Sequence, residues 1–291
     1  NRLFESEDIV GCLCADDLNP YTRIPLLLAH KRGIPTLACH HGALAYGNAI
    51  KKLDADFYLA KSEMERDYLV RRCEVPAEKV VLGAPSSPQD SVCSRHEERT
   101  WLVFFTEPYA AGGWRIDEIY RELLPVLCSL AESSGLELVF KLHPFESVRG
   151  HRRLLRRHIS RKPAERIRII AGPPSAELWQ KTRAALTVQS SVAVECTMRG
   201  IPVFLCGWLR EPFAGYLRQF AEFGAGQIVN SAAELEALPV LLSGYQIRTG
   251  VQQRLAGAIE PPLFRALLRN FSGVQASAVC ETASGGAGIR A

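Results

Sequence analysis

The stretch LTVQSSVAVECTMRGIPVFLC, residues 186–206, decides the fold. An apolar run ends in the pair Ser190-Ser191, and a short helical segment follows with Glu195 in its first turn. Gly200 stops that segment, and Ile201-Pro202 opens a second apolar run. This is a βαβ unit, the crossover that parallel strands require. Its helix start directs backbone N–H groups and a positive dipole end at whatever lies above the sheet. A phosphate is the natural guest, and Glu195 is placed to accept from the ribose hydroxyls of a nucleotide-linked donor. A plainer reading stays open, in which the two serines simply cap an ordinary helix.

The same alternation runs through the rest of the chain. Strands are predicted over 8–15, 35–39, 56–61 and 79–83, with helices over 21–32, 43–53 and 62–73 between them. The polar run SSPQDSVCSRHEER, residues 86–99, has no periodicity and reads as a linker. Beyond it, strands are predicted over 101–106, 136–142, 166–172, 184–189 and 228–230. Helices are predicted over 116–133, 146–161, 175–182, 212–224, 232–243 and 261–271. Strand–helix alternation of this kind implies parallel sheets with helices on both faces. The fold class is therefore α/β, with two Rossmann-like doubly wound domains and the N-terminal one incomplete. The expected boundaries are 1–88 for the C-terminal half of an N-terminal acceptor domain, 89–100 for the linker, 101–274 for a nucleotide-donor domain, and 275–291 for a disordered tail rich in Ala, Ser and Gly. The tetrapeptide Arg-Gly-Ile-Pro occurs at 32–35 and again at 199–202, each time between a predicted helix and a predicted strand. The chain opens on NRLFESEDIV and reads as the interior of a longer polypeptide, with the missing strands upstream of Asn1.

Composition narrows the partners. A hydrophobic content of 47% and a charged content of 23% are globular values. The net charge of +4 suits acidic small molecules or an anionic surface without demanding nucleic acid, and no nucleic-acid-binding motif appears. Nine cysteines are scattered without a C-x-x-C pair, several of them in predicted buried strands (Cys12, Cys39, Cys206), so reduced core thiols are expected and no metal site is. No signal-peptide pattern and no apolar run of membrane-spanning length is read, so the expected location is the cytoplasm, including the inner face of the membrane.

Three groups of residues carry the chemistry. Lys141-Leu142-His143-Pro144 ends a strand, where ligands of open parallel sheets bind. Lys141 and His143 there suit a diphosphate, and His143 suits a leaving phosphate as donor or acid; a loop-capping His is the plain alternative. Ser190, Ser191 and Glu195 form the second group, at another strand end of the same sheet. The two groups are expected to converge on one anion from neighbouring strand termini. The third is His40-His41-Gly42, at a strand end in the first domain. Gly42 permits a tight turn, and His41 is placed to deprotonate an acceptor hydroxyl; a metal-ligand pair or a structural His stays open. Gly42, Glu107 and Trp208 are expected to line the cleft. The basic run at 149–168, RGHRRLLRRHISRKPAERIR, places Leu154 and Leu155 inward and its arginines outward. It reads as a solvated face, or as a peripheral contact with an anionic membrane surface.

Together these residues resemble glycosyltransferases of the GT-B type, in the bacterial branch that builds capsules, teichoic acids and sialylated or Kdo-containing surface glycans. That branch carries an HP motif and an SS motif in its C-terminal domain, matched here by Lys141-Leu142-His143-Pro144 and Ser190-Ser191. The pattern S-x-A-x-E-x-x-x-x-G-x-P-V is matched by Ser191, Ala193, Glu195, Gly200, Pro202 and Val203. The resemblance implies that His143 and the serines bind donor phosphates and that Glu195 binds the ribose. It also implies that His41-Gly42 supplies the base, as in the polyol-phosphate transferases of the group. Gln189 stands where some relatives carry a further serine.

The resulting expectation is a metal-independent transferase needing no cofactor. It moves a sugar or polyol phosphate from a nucleotide-linked donor to a glycan or lipid-linked acceptor in surface-polysaccharide synthesis. A UDP-sugar 2-epimerase and a non-catalytic GT-B-like binding domain are the alternatives.

Overall fold

The computed structural model describes residues 2–14, 20–39, 55–83, 99–108, 116–160, 164, 166–209 and 215–256. The helices expected at 43–53 and 261–271, the tail at 275–291 and linker residues 89–98 lie outside them. The chain divides into two compact units, Asn1–Ser86 with Ala256–Ala291, and Ser87–Leu255.

In the first unit, β1 (Cys12–Cys14), β2 (Thr36–Ala38), β3 (Phe57–Ala60) and β4 (Val80–Leu82) form a parallel sheet in that order. The helices are α1 (Leu3–Ser6), α2 (Pro20–Lys31) and α3 (Glu63–Arg71). The strand expected over 8–15 is confined to β1, because only its three residues find partners on β2. The thiols expected to be core groups differ in depth. Cys14 and Cys73 are buried, whereas Cys12 and Cys39 are half-buried. Fully buried Thr36 is tied to the entry of β3. Its N–H and hydroxyl both donate to Asp56 Oδ2 at 2.8 Å, and its oxygen accepts from Asp56 N at 2.9 Å.

The second unit holds six parallel strands: β5 (Trp101–Phe105), β6 (Glu137–Lys141), β7 (Arg168–Ile170), β8 (Thr182–Thr187), β9 (Val203–Cys206) and β10 (Gln227–Val229). Their order is β10-β9-β8-β5-β6-β7. Every residue of β5 and β9 is buried, as central strands covered on both faces should be. Helices α4 (Ile116–Ser134), α5 (Val148–His158), α6 (Ala176–Lys181), α7 (Val192–Met198), α8 (Gly215–Glu222), α9 (Ala232–Glu236), α10 (Leu238–Gly244) and α11 (Val251–Leu255) complete the unit. Leu123, Leu124 and Leu127 of α4 are fully buried against the sheet, each worth about 1.5–3 kcal/mol.

Two helices depart from the sequence reading for local reasons. The helix expected over 232–243 breaks into α9 and α10 at Ala237, because Pro239 has no N–H to continue the ladder. The helix expected from 146 starts two residues later. Ser147 caps it by accepting from Gly150 N at 3.1 Å, which leaves Glu146 to the preceding turn.

The repeated Arg-Gly-Ile-Pro has one geometry in both units. Gly33 and Gly200 have φ of 67° and 68°. Gly33 N donates to His30 O and Ile34 N to Ala29 O, and likewise Gly200 N to Thr197 O and Ile201 N to Cys196 O. Each is a Schellman stop that closes the helix and returns the chain to the sheet. A Cβ at Gly200 would meet nothing within 4 Å, so the left-handed backbone alone sets the cost of a side chain there. Gly200→Ala should lower stability by about 1–2 kcal/mol, and Gly200→Asn by less, since Asn tolerates this conformation better. Urea unfolding checks this, and equal losses for the two variants would contradict it.

Candidate functional site

Numbered along the chain, the strands of the second unit stand in the order 6-5-4-1-2-3. The order reverses between β5 and β8, and ligands of open parallel sheets bind beyond the carboxyl ends of strands at such a reversal. Glu107 and Ser190-Ser191 follow these two strands directly. His143 follows β6, the next strand over. The two motifs therefore do not sit on neighbouring termini as expected. β5 lies between them, a separation of about 10 Å at the usual strand spacing.

The two reversing strands are tied at their ends. Glu107 Oε1 accepts from Thr187 Oγ1 at 3.0 Å and from Gln189 N at 2.8 Å, and Ser190 N donates to Thr187 Oγ1 at 3.4 Å. Ser190 then closes the start of α7, where its Oγ accepts from Val192 N at 3.4 Å and its carbonyl from Ala193 N at 3.1 Å. Most of the N–H groups anticipated for a phosphate are thus already taken by the protein. Ser191 is the exception. It occupies the N-cap position in αR conformation without a side-chain capping bond, and among the described residues no protein group takes up its hydroxyl or its N–H. The plain capping role falls to Ser190 and not to Ser191.

His143 stands in a self-bonded turn. Its N–H donates to Thr106 Oγ1 and to Glu146 Oε2, both at 3.1 Å, and its Nδ1 accepts from Phe145 N at 3.3 Å. Its carbonyl accepts from Glu146 N at 2.9 Å, and the Thr106 hydroxyl donates to Glu146 Oε2. Behind the turn, Glu146 Oε1 lies 3.8 Å from His151 Nδ1, and His151 Nε2 meets the Tyr120 hydroxyl at 3.2 Å. Burial holds His151 down to about 4 and drives Tyr120 well above the usual phenol range, so both are neutral at pH 7. Burial raises the Glu146 carboxyl, opposed by the Thr106 and His143 hydrogen bonds and by Lys141.

Lys141 is buried, and its Nζ donates to Leu142 O at 2.8 Å. Its ammonium thus faces the main chain beside Glu146. Glu195 is half-buried, with burial raising its carboxyl and Arg199 lowering it. The Arg199 guanidinium donates to Glu195 O at 3.2 Å, lies 4.0 Å from Glu195 Oε2 and stacks 4.5 Å over the Trp179 ring. Trp208 follows β9, half-buried, with its indole N–H covered and lacking a partner among the described residues. His41 and Gly42 lie outside the described residues. Among the described residues, no group of three or more His, Cys, Asp or Glu side chains is arranged to hold a metal, and no helix is long and apolar enough to cross a membrane.

Thr106, Glu146, His151 and Tyr120 were not singled out in the sequence. The available signals were slight: a hydroxyl residue ending the apolar run WLVFFT, and a carboxylate three residues after His143.

No protein-family model matches the chain, and no curated protein matches it. Solved structures do. The spinosyn rhamnosyltransferase SpnG superposes with a TM-score of 0.59 at 17% identity, over 92% of this chain and 75% of that one. The UDP-GlcNAc 2-epimerase of Methanocaldococcus jannaschii, in complex with UDP-GlcNAc and UDP, gives 0.54 at 14% identity over 85% and 72%. The S. aureus MnaA–UDP structure gives 0.53 at 14% identity over 87% and 72%. The fold is therefore the α/β, two-Rossmann-domain fold of GT-B glycosyltransferases and these epimerases.

The buried imidazole makes stability pH-dependent. His151 binds a proton near 6.5 when unfolded but only near 4 when folded, so its contribution is complete above about pH 6.5 and is lost as pH falls toward 4. The slope it adds is at most about 1.4 kcal/mol per pH unit. Glu146, raised by burial, acts in the opposite sense, so the quantity to read is the difference between parent and His151→Gln. Melting curves from pH 7 to 4 should fall less steeply for the variant, and parallel curves would refute the assignment.

Proposed function

We propose that this chain is a nucleotide-sugar-utilising enzyme of the GT-B fold. The finer reading is a metal-independent glycosyltransferase, moving a sugar or polyol phosphate to a hydroxyl acceptor. The observation that carries the proposal is the reversal between β5 and β8, where Ser191 offers a hydroxyl and an N–H while His143 stands one strand away. The M. jannaschii epimerase in complex with UDP-GlcNAc and UDP and the S. aureus MnaA–UDP structure, which share the fold, support a nucleoside-diphosphate donor.

In this reading the acceptor hydroxyl attacks the donor's anomeric carbon, or its phosphorus for a polyol phosphate. The bond to the leaving phosphate breaks, and negative charge gathers on that oxygen. His143 and Ser191 donate to it, and they act most strongly where charge develops. Glu195 accepts from the ribose, and Trp208 stacks on the base. By the motif resemblance, His41 takes the acceptor's proton, with Gly42 shaping its turn. Lys141 acts from below as a buried charge. The acceptor is a glycan or a lipid-linked glycan of a surface polysaccharide. Exposed Arg149, Arg153, Arg156 and Arg157 on α5 would then meet an anionic membrane face from the cytoplasmic side.

A 2-epimerase is the second reading, favoured by the shared fold of the solved epimerases. Incubation with UDP-GlcNAc separates the two, since the epimerase alone releases UDP with a C2-inverted sugar and no acceptor.

Melting temperature in a panel of UDP, CDP, CMP and GDP tests the donor site. The matching nucleotide at 100 times its dissociation constant should stabilise the protein by about 2.7 kcal/mol. His143→Ala and Ser191→Ala should each weaken that nucleotide about tenfold, the loss of one charge-assisted hydrogen bond. Indifference to all four nucleotides, or unchanged binding in both variants, would overturn the proposal.

A further inference from the structure

We propose that Glu146 is a positioning residue that holds His143 as a fixed Nε2–H hydrogen-bond donor. The proposal assigns the turn's chemistry and rests on the function proposed above only for the identity of the ligand.

His143 Nδ1 accepts the N–H of Phe145 at 3.3 Å, so the neutral imidazole carries its proton on Nε2. That bond exists only while the chain turns sharply between His143 and Glu146. A glycine would be the usual aid to such a turn, but here the residues are Pro144 and Phe145. The turn is instead closed by side-chain acceptance. One carboxylate oxygen of Glu146 receives the His143 N–H at 3.1 Å and the Thr106 hydroxyl, while Glu146 N donates back to His143 O at 2.9 Å.

The carboxylate thereby joins two strand ends. Thr106 follows β5, and His143 follows β6. Thr106 Oγ1 accepts from His143 N at 3.1 Å as well, so the three groups form a closed triangle. Glu146 itself is held from behind, with His151 Nδ1 3.8 Å from its second oxygen and Lys141 as its cationic neighbour. Its side chain is only 13% exposed, so it is committed to these partners rather than to solvent.

The consequence for chemistry is directional. An imidazole held as Nε2–H donates to an anionic oxygen and does not accept a proton there. His143 therefore stabilises a leaving phosphate, and proton removal from the acceptor belongs to another group. No covalent step is assigned to Glu146.

Nitrogen-15 NMR of histidine side chains in the full chain tests this. His143 is assigned through His143→Asn. In the parent, His143 should give one fixed tautomer, Nε2 protonated, and Glu146→Gln should keep it, because an amide oxygen still accepts both donors. Glu146→Ala should give an averaged signal, while the resonances of His30 and His158, away from the turn, stay in place. Thr106→Val should shift the His143 signal in the same direction by a smaller amount, which preserves the test if Glu146→Ala does not fold. UDP affinity should drop about tenfold in Glu146→Ala and less than threefold in Glu146→Gln, as expected for a released hydrogen-bond donor. A fixed His143 tautomer in both Glu146→Ala and Thr106→Val would overturn the proposal. The tautomer signal needs no nucleotide. Absent binding of UDP, CDP, CMP and GDP alike, together with the expected NMR pattern, therefore sinks the function proposed above and leaves the positioning role standing.

Discussion

One carboxylate oxygen of Glu107 receives a hydroxyl from Thr187 and an amide from Gln189, and this locks the end of β5 to the end of β8. The rest of the candidate site depends on that lock. A carboxylate only accepts, so the Thr187 proton must point at it, which leaves the hydroxyl's lone pairs for Ser190 N. Ser190 in turn supplies the acceptors for Val192 and Ala193. The helix start is thus determined outward from a single half-buried acceptor, and Ser191 is the residue the chain of bonds does not absorb. Removing the acceptor would leave the covered Thr187 hydroxyl and the Gln189 N–H unmatched, at about 1–3 kcal/mol each.

The two units solve one local problem in one way. A crossover helix must stop and hand the chain to a buried strand. Arg-Gly-Ile-Pro does so twice, with glycine in the left-handed region and proline just before the strand. Proline lacks a donor but keeps its carbonyl, and the neighbouring strand uses it. Cys12 N donates to Pro35 O at 2.8 Å, and Ala185 N to Pro202 O at 2.9 Å. The repeat therefore fixes register as well as helix length, because each proline carbonyl is the acceptor that fixes where the adjacent strand begins to pair.

Much of this was legible in the residues. Apolar runs of four to six residues between helical stretches announce parallel strands, and Gly200 announces the helix stop. The strand order was not legible, since local periodicity carries no information about which strands pair. That is why the HP and SS motifs read as occupants of adjacent strands when β5 separates them. Nor was the use of the helix N–H groups legible. Ser190 and Ser191 are chemically identical in the sequence, and only the position of Glu107, about 80 residues earlier, decides that one is consumed and the other is not. The Thr106–Glu146–His151–Tyr120 cluster escaped for the same reason. Its members are ordinary surface-type residues until the fold buries them together.

Two carboxylates beneath the proposed anion site look self-defeating, and the geometry removes the difficulty. Glu107 faces Thr187 and Gln189, and Glu146 faces Thr106 and the His143 main chain, so each negative charge is covered by donors. Burial raises the Glu146 carboxyl and lowers the Lys141 ammonium, and the attraction between the two charges opposes both shifts. The sequence position of Lys141 suggested a direct hand on the ligand, but its Nζ donates to Leu142 O and its charge lies beside Glu146. With the carboxylates covered, the donors that the proposed reading sets against a developing negative charge above the sheet are the His143 imidazole and the Ser191 hydroxyl and N–H. All three are donors, and the bonds that fix the His143 turn and the start of α7 would limit the reorganisation that the proposed reaction needs.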